Sequence, residues 1–175
     1  MRRSHLIGSV VAAFIFSLSA LPVASADEVK VEGVHLCCGA CVKGVNKALT
    51  GVEGVSDVKV ERDEELVTFQ AKDEAAVKAG LTALAKGGFY GKTSHPGPDF
   101  TIDPSLKKNT IEITGMHLCC PGCTNSAKAA LKEVKGVQGI APESKQGKIT
   151  ITGSDISLAD TLKALHTYGF HGTVK

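Results

Sequence analysis

Tryptophan is absent from the 175-residue chain, tyrosine occurs twice, and six phenylalanines make up the remaining aromatics. Few flat side chains are therefore available for bases to stack on. A basic excess is missing too: 20 Lys and Arg face 18 Asp and Glu, and leaving out Arg2 and Arg3 makes it eighteen against eighteen. Nucleic-acid binding needs a basic face interleaved with aromatics, so that class is set aside. No phosphate-cradling glycine loop, Ser-His-Asp spacing or carboxylate pair stands out, which removes the usual residues of those catalytic chemistries.

Long apolar runs are also missing, except at the start. Arg2 and Arg3 precede an uncharged stretch from Leu6 to Val23, and Ala24-Ser25-Ala26 then offers the small residues a signal peptidase needs. That order predicts a cleaved signal peptide over 1–26 and an exported mature chain, periplasmic or secreted, without a membrane span. An uncleaved anchor competes, because the stretch approaches spanning length. Pro22 and the Ala-Ser-Ala ending favour cleavage.

What is present is concentrated. All six cysteines lie in GVHLCCGAC (33–41) and GMHLCCPGC (115–123), 82 residues apart. Gly54-Val55 returns as Gly136-Val137 at the same offset, and GFYG (88–91) returns as GFHG (169–172) at 81. A period held over so much chain means two copies of one small unit. The boundaries follow as 27–93 and 105–175, joined by a Pro-rich polar linker over 94–104.

Each copy alternates as a strand before its cysteines, at Val29 to Val34 and Thr110 to Thr114, and takes helical spacing after them. Val42, Val45 and Leu49 mark the first such helix, and Ala127, Ala130, Leu131 and Val134 its counterpart. Two strands follow (55–61 and 66–70; 137–142 and 148–152), then a helix and a short last strand near 90–93 or 171–174. The order is βαββαβ, so the fold class is α+β: two tandem ferredoxin-like sandwiches.

The cysteines sit where the first strand hands over to the first helix. A spacing of three brings Cys38 with Cys41, and Cys120 with Cys123, to one face, and the helix end favours thiolate. Thiolates select soft ions such as Cu(I), Zn(II), Cd(II) or Hg(II) over hard ones. Cys37 and Cys119 add a third sulfur, and strand alternation puts His35 on the face of Cys37, as His117 is on that of Cys119. Three sulfurs suit trigonal Cu(I), and three with an imidazole suit tetrahedral Zn(II). His171 stands where the first copy has Tyr90 and is a further candidate near the second site, while His166, near a helix end, reads as solvent-facing. The lysines after each motif, Lys43 and Lys47 in the first copy, read as solvated helix surface.

Two other classes fit part of the pattern. Structural disulfides are common in exported proteins, but three cysteines per copy leave one unpaired unless a bridge joins the copies. Cys-x-x-Cys at a helix start also describes a thiol–disulfide oxidoreductase. The first copy lacks a proline between Cys41 and the linker to serve such a site, and the βαββαβ order fits metal binding better.

With its glycine-led loop, Cys-x-x-Cys and βαββαβ order, each copy resembles the heavy-metal-associated domain. The resemblance implies Cys38, Cys41, Cys120 and Cys123 as metal ligands, with Gly88-Phe89 and Gly169-Phe170 close to the loops. It also implies a non-enzymatic role in metal trafficking, sequestration or resistance. Copper comes first, then zinc or mercury, up to one ion per domain, with a metal-transport or metal-acceptor protein as partner. The loop departs from the family pattern by two added residues, which supply Cys37 or Cys119 and His35 or His117, and Val34 replaces the family's Met. A site with three or four ligands should hold metal more firmly and exchange it more slowly.

Overall fold

The structure, a computed structural model, describes residues 27–175; the expected signal peptide lies outside them. Its elements run β1 (Asp27–Glu32), α1 (Gly39–Leu49), β2 (Val55–Glu61), β3 (Leu66–Ala71) and α2 (Glu74–Lys86). They continue with β4 (Lys107–Thr114), α3 (Pro121–Lys132), β5 (Val137–Glu143), β6 (Lys148–Ser157), α4 (Leu158–Thr167) and β7 (Thr173–Val174). Two antiparallel sheets result, ordered β1-β3-β2 and β5-β6-β4-β7, each with two helices. This is the tandem ferredoxin-like α+β arrangement.

Alternation builds both cores. Val29 lies opposite Phe69 and Val31 opposite Val67, while Ile111 lies opposite Ile151 and Ile113 opposite Ile149. All eight are at most 2% exposed. Onto the first sheet α1 lays Cys41, Val45 and Leu49, and onto the second α3 lays Cys123, Ala127, Ala130 and Leu131. In α1 the buried stripe begins at Cys41, so the expected Val42 is only half-buried. A metal-binding cysteine would thus double as a core residue.

The first half's last strand is reduced to one antiparallel bridge, Lys92 to Glu32. Its place at the free edge of β1 matches that of β7 beside β4, but the chain leaves into the linker before more pairs form. The first strand also ends earlier than alternation suggested, at Glu32, because Gly33 turns with φ +72. The expected strand at 148–152 extends through Ser157.

The halves pack against each other through the repeated Gly-Phe corners. Phe89 and Phe170 form an antiparallel bridge. The carbonyl of Gly169 accepts from His35 N–H (3.3 Å) and Tyr90 N–H (3.1 Å), and that of Gly88 accepts from His171 N–H (3.0 Å). Gly88 and Gly169 have φ of +87 and +77, and a Cβ on either would collide with the backbone nitrogen of His117 or His35 in the opposite half. Glycine is required there for both the conformation and the approach. The linker crosses this seam, with Phe100 against Tyr90, His166 and His171.

Candidate metal centre

Each cysteine loop leaves its sheet after Gly33 or Gly115, buries Val34 and Leu36 or Met116 and Leu118, and ends at a helix N-cap. Cys38 caps α1 and Cys120 caps α3, both in extended conformation, with Pro121 opening α3. A cysteine takes the place of the usual Ser, Thr, Asp or Asn. No geometric hydrogen bond closes either cap, yet the amide of Cys41 and then that of Ala40 draw the Cys38 thiol down to about 6. Cys120 is lowered likewise, chiefly by the Cys123 amide.

The other thiols behave oppositely. Cys37 stands exposed at the loop surface, but its sulfur is hemmed in by three others. Desolvation, then the hydrogen bond with Cys123, pushes its thiol up. Burial raises Cys119 and Cys123 as well. Each helix start therefore carries one thiol that ionises readily, Cys38 or Cys120, beside the raised thiols of Cys37, Cys119 and Cys123.

Two separate sites, one per domain, were expected; the structure joins them. All six thiols are free and their sulfurs form one cluster. Cys41 and Cys123 touch at 3.6 Å across the domain boundary. Cys37 lies 3.5 Å from Cys120 and 3.4 Å from Cys123. Reciprocally, Cys119 lies 3.7 Å from Cys38 and 3.6 Å from Cys41. The contacts obey an approximate two-fold exchange of the two loops. The physical reason is the docking of the Gly-Phe corners, which sets one loop over the other.

Both candidate imidazoles join the cluster. One ligand nitrogen of His35 groups with the sulfurs of Cys37 and Cys123, and one of His117 with those of Cys41 and Cys119, all within 4.8 Å. His35 stacks on Phe170 at 4.2 Å and His117 lies tilted against Phe89 at 4.5 Å, each on the aromatic of the other half. Desolvation lowers the pKa of both rings, so they are neutral and able to donate a lone pair near pH 7. The Nε2 of each is buried without a hydrogen-bond partner, which is uncommon for a buried polar atom and points to a missing ligand.

His171 belongs to none of these groupings. Its Nδ1 lies 3.0 Å from His166 Nε2, and His166 stacks flat on Tyr90 with centroids 3.5 Å apart. His166, expected to face solvent, is half-buried in this interdomain stack. No sequence pattern flagged the pair; the signal available was only the aromatic-to-His change between the repeated Gly-Phe-Tyr and Gly-Phe-His corners.

Sulfur and imidazole together form a donor set suited to soft metal ions. Residues 28–87 match the family model of the heavy-metal-associated domain. The chain is 29% identical over 133 residues to copper-transporting ATPase 2 of Rhizobium meliloti (strain 1021), a match covering 76% of this chain and 14% of that protein. It is 25% identical over 130 residues to heavy metal-associated isoprenylated plant protein 9 of Arabidopsis thaliana, covering 69% of this chain and 40% of that one. It therefore spans less than half the length of either relative. Among solved structures, the N-terminal soluble domains of Bacillus subtilis CopA align over 87% of this chain and 95% of that one, at 19% identity and a TM-score of 0.35. No helix among the described residues is long and apolar enough to cross a membrane.

Proposed function

We propose that the protein is an exported, non-enzymatic carrier or store of soft metal ions, in which residues 105–175 form a second heavy-metal-associated domain. Cu(I) is the first candidate cargo, then Zn(II) or Hg(II), with a metal-transport or metal-acceptor protein as exchange partner. The observation that carries the reading is the convergence of six free thiols with two buried, unpartnered imidazole nitrogens. Thiolate and neutral imidazole are donors for soft and borderline ions and poor ones for Mg(II) or Ca(II). The copper-transporting relative supports copper over the others. Signal-like residues 1–26 support export to the periplasm or beyond.

Native mass spectrometry of the reduced, anaerobic chain, titrated separately with Cu(I), Zn(II) and Hg(II) against a competing chelator, tests the proposal. Retained ions that disappear after cysteine alkylation are the expected result. A chain that retains none and instead cycles its cysteines with glutathione is a thiol–disulfide oxidoreductase, and the metal reading falls.

A further inference from the structure

We propose that each ion is held across the domain interface, the Cys-x-x-Cys pair of one half being completed by the His-x-Cys arm of the other. One ligand set is His35, Cys37, Cys120 and Cys123; the second is His117, Cys119, Cys38 and Cys41. This rests on soft-metal binding at the cluster, as proposed above, and adds which donors share an ion.

The sulfur triangles carry the inference. Cys37, Cys120 and Cys123 close a triangle with edges of 3.5, 3.4 and 3.7 Å. Cys119, Cys38 and Cys41 close its counterpart with edges of 3.7, 3.6 and 3.8 Å. A tetrahedral ion with metal–sulfur bonds of about 2.3 Å has sulfur–sulfur edges of about 3.8 Å, so each triangle needs little expansion to close on one. Within a single loop the triangle is wider on one edge. Cys41 touches Cys37 at 3.7 Å and Cys38 at 3.8 Å, while Cys37 and Cys38 lie within 4.8 Å of each other without such a contact among the described residues.

The imidazoles make the same assignment. Each of the two groupings that contain a histidine draws sulfur from both loops, His35 and Cys37 with Cys123, and His117 and Cys119 with Cys41. Each ring is also seated on the opposite half's phenylalanine, and the Nε2 of each is buried without a partner. The two sets abut through the Cys41–Cys123 contact. In neither half by itself are all three sulfurs in mutual contact, so docking of the halves closes the tighter triangles.

Paired serine variants of the full chain discriminate the pairings, with Zn(II) as the probe because four donors suit a tetrahedral ion. Cys37→Ser with Cys120→Ser damages a single crossed set, and Cys37→Ser with Cys38→Ser damages both. The wild type is expected to retain two zinc ions against a chelator, the first variant one at undiminished affinity, and the second none at that affinity. The reverse pattern assigns each ion to its own loop and overturns the proposal. So does equal loss in both variants with more than two ions in the wild type, which marks one common thiolate cage. Retention of Cu(I) without Zn(II) by the wild type refutes the four-donor sets alone; retention of neither refutes the metal reading itself. Unchanged far-ultraviolet spectra of the metal-free variants confirm that folding is intact.

Discussion

Adjacent cysteines in this chain have opposite chemistry, and the cause is where each sulfur points. The amides opening α1 stabilise the Cys38 thiolate, with the thiol drawn down to about 6, while desolvation raises Cys37. A lowered thiol pKa means the thiolate persists as pH falls, until about 6, where an ordinary cysteine is already protonated. Brief iodoacetamide treatment of the reduced, metal-free chain at pH 7 should therefore label Cys38 and Cys120 well before Cys37, Cys119 and Cys123. Half-maximal labelling of Cys38 should fall near pH 6. Peptide mapping by mass spectrometry reads both, and a Cys38 profile centred near pH 9, or faster reaction of Cys37, would refute this account. Residue types and spacing made all eight candidate donors legible in the sequence. Which thiol ionises first was not, because it depends on amides and neighbouring sulfurs placed by the opposite half.

The helices show the same compromise one level up. Where no cargo is proposed, conventional caps appear: Asp73 accepts from Ala76 N–H at 2.8 Å and Ser157 from Asp160 N–H at 3.1 Å. At α1 and α3 the cap is a cysteine without a hydrogen bond. A good cap contributes about 1 kcal/mol, so Cys120→Asp is expected to raise metal-free stability by up to about 1 kcal/mol while weakening metal retention. Denaturant unfolding of the metal-free chain provides the check; unchanged or lower stability would show that Cys120 is not an underperforming cap. Strands and helices were largely readable because alternation and helical spacing each recur in both copies. The failures have local reasons. A strand at 90–93 needs edge pairing that the departing linker cuts to one bridge, and the extension of β6 through Ser157 depends on Lys107 and Lys108 pairing with it.

At the scale of the whole molecule, the sequence announces two copies but carries no record of how they sit together. The only trace was the repetition of Gly-Phe corners and of a histidine before each cysteine cluster, and those turn out to be the docking surfaces. The seam also holds a titratable element, with His166 flat on Tyr90 and bonded to His171 under Phe100. Lys92 and Lys163 line a cavity together with His166, so a proton on that ring adds positive charge near two cations. Desolvation, then the neighbouring His171, lowers His166 to about 4; desolvation lowers His171. A histidine depressed in the folded state contributes its full stability above its unfolded value of about 6.5 and loses it as pH falls toward the folded value. The docked arrangement should accordingly weaken between about pH 6.5 and pH 4. His166→Phe keeps a ring on Tyr90 and removes that proton site, so the fall in melting temperature of the metal-free chain over this window should shrink. It should not vanish, since His35 and His117 at the thiol cluster are depressed as well. Superimposable acid limbs for wild type and variant would mean that the stack does not govern docking, and the acid sensitivity of the seam would then belong to the two histidines beside the thiols.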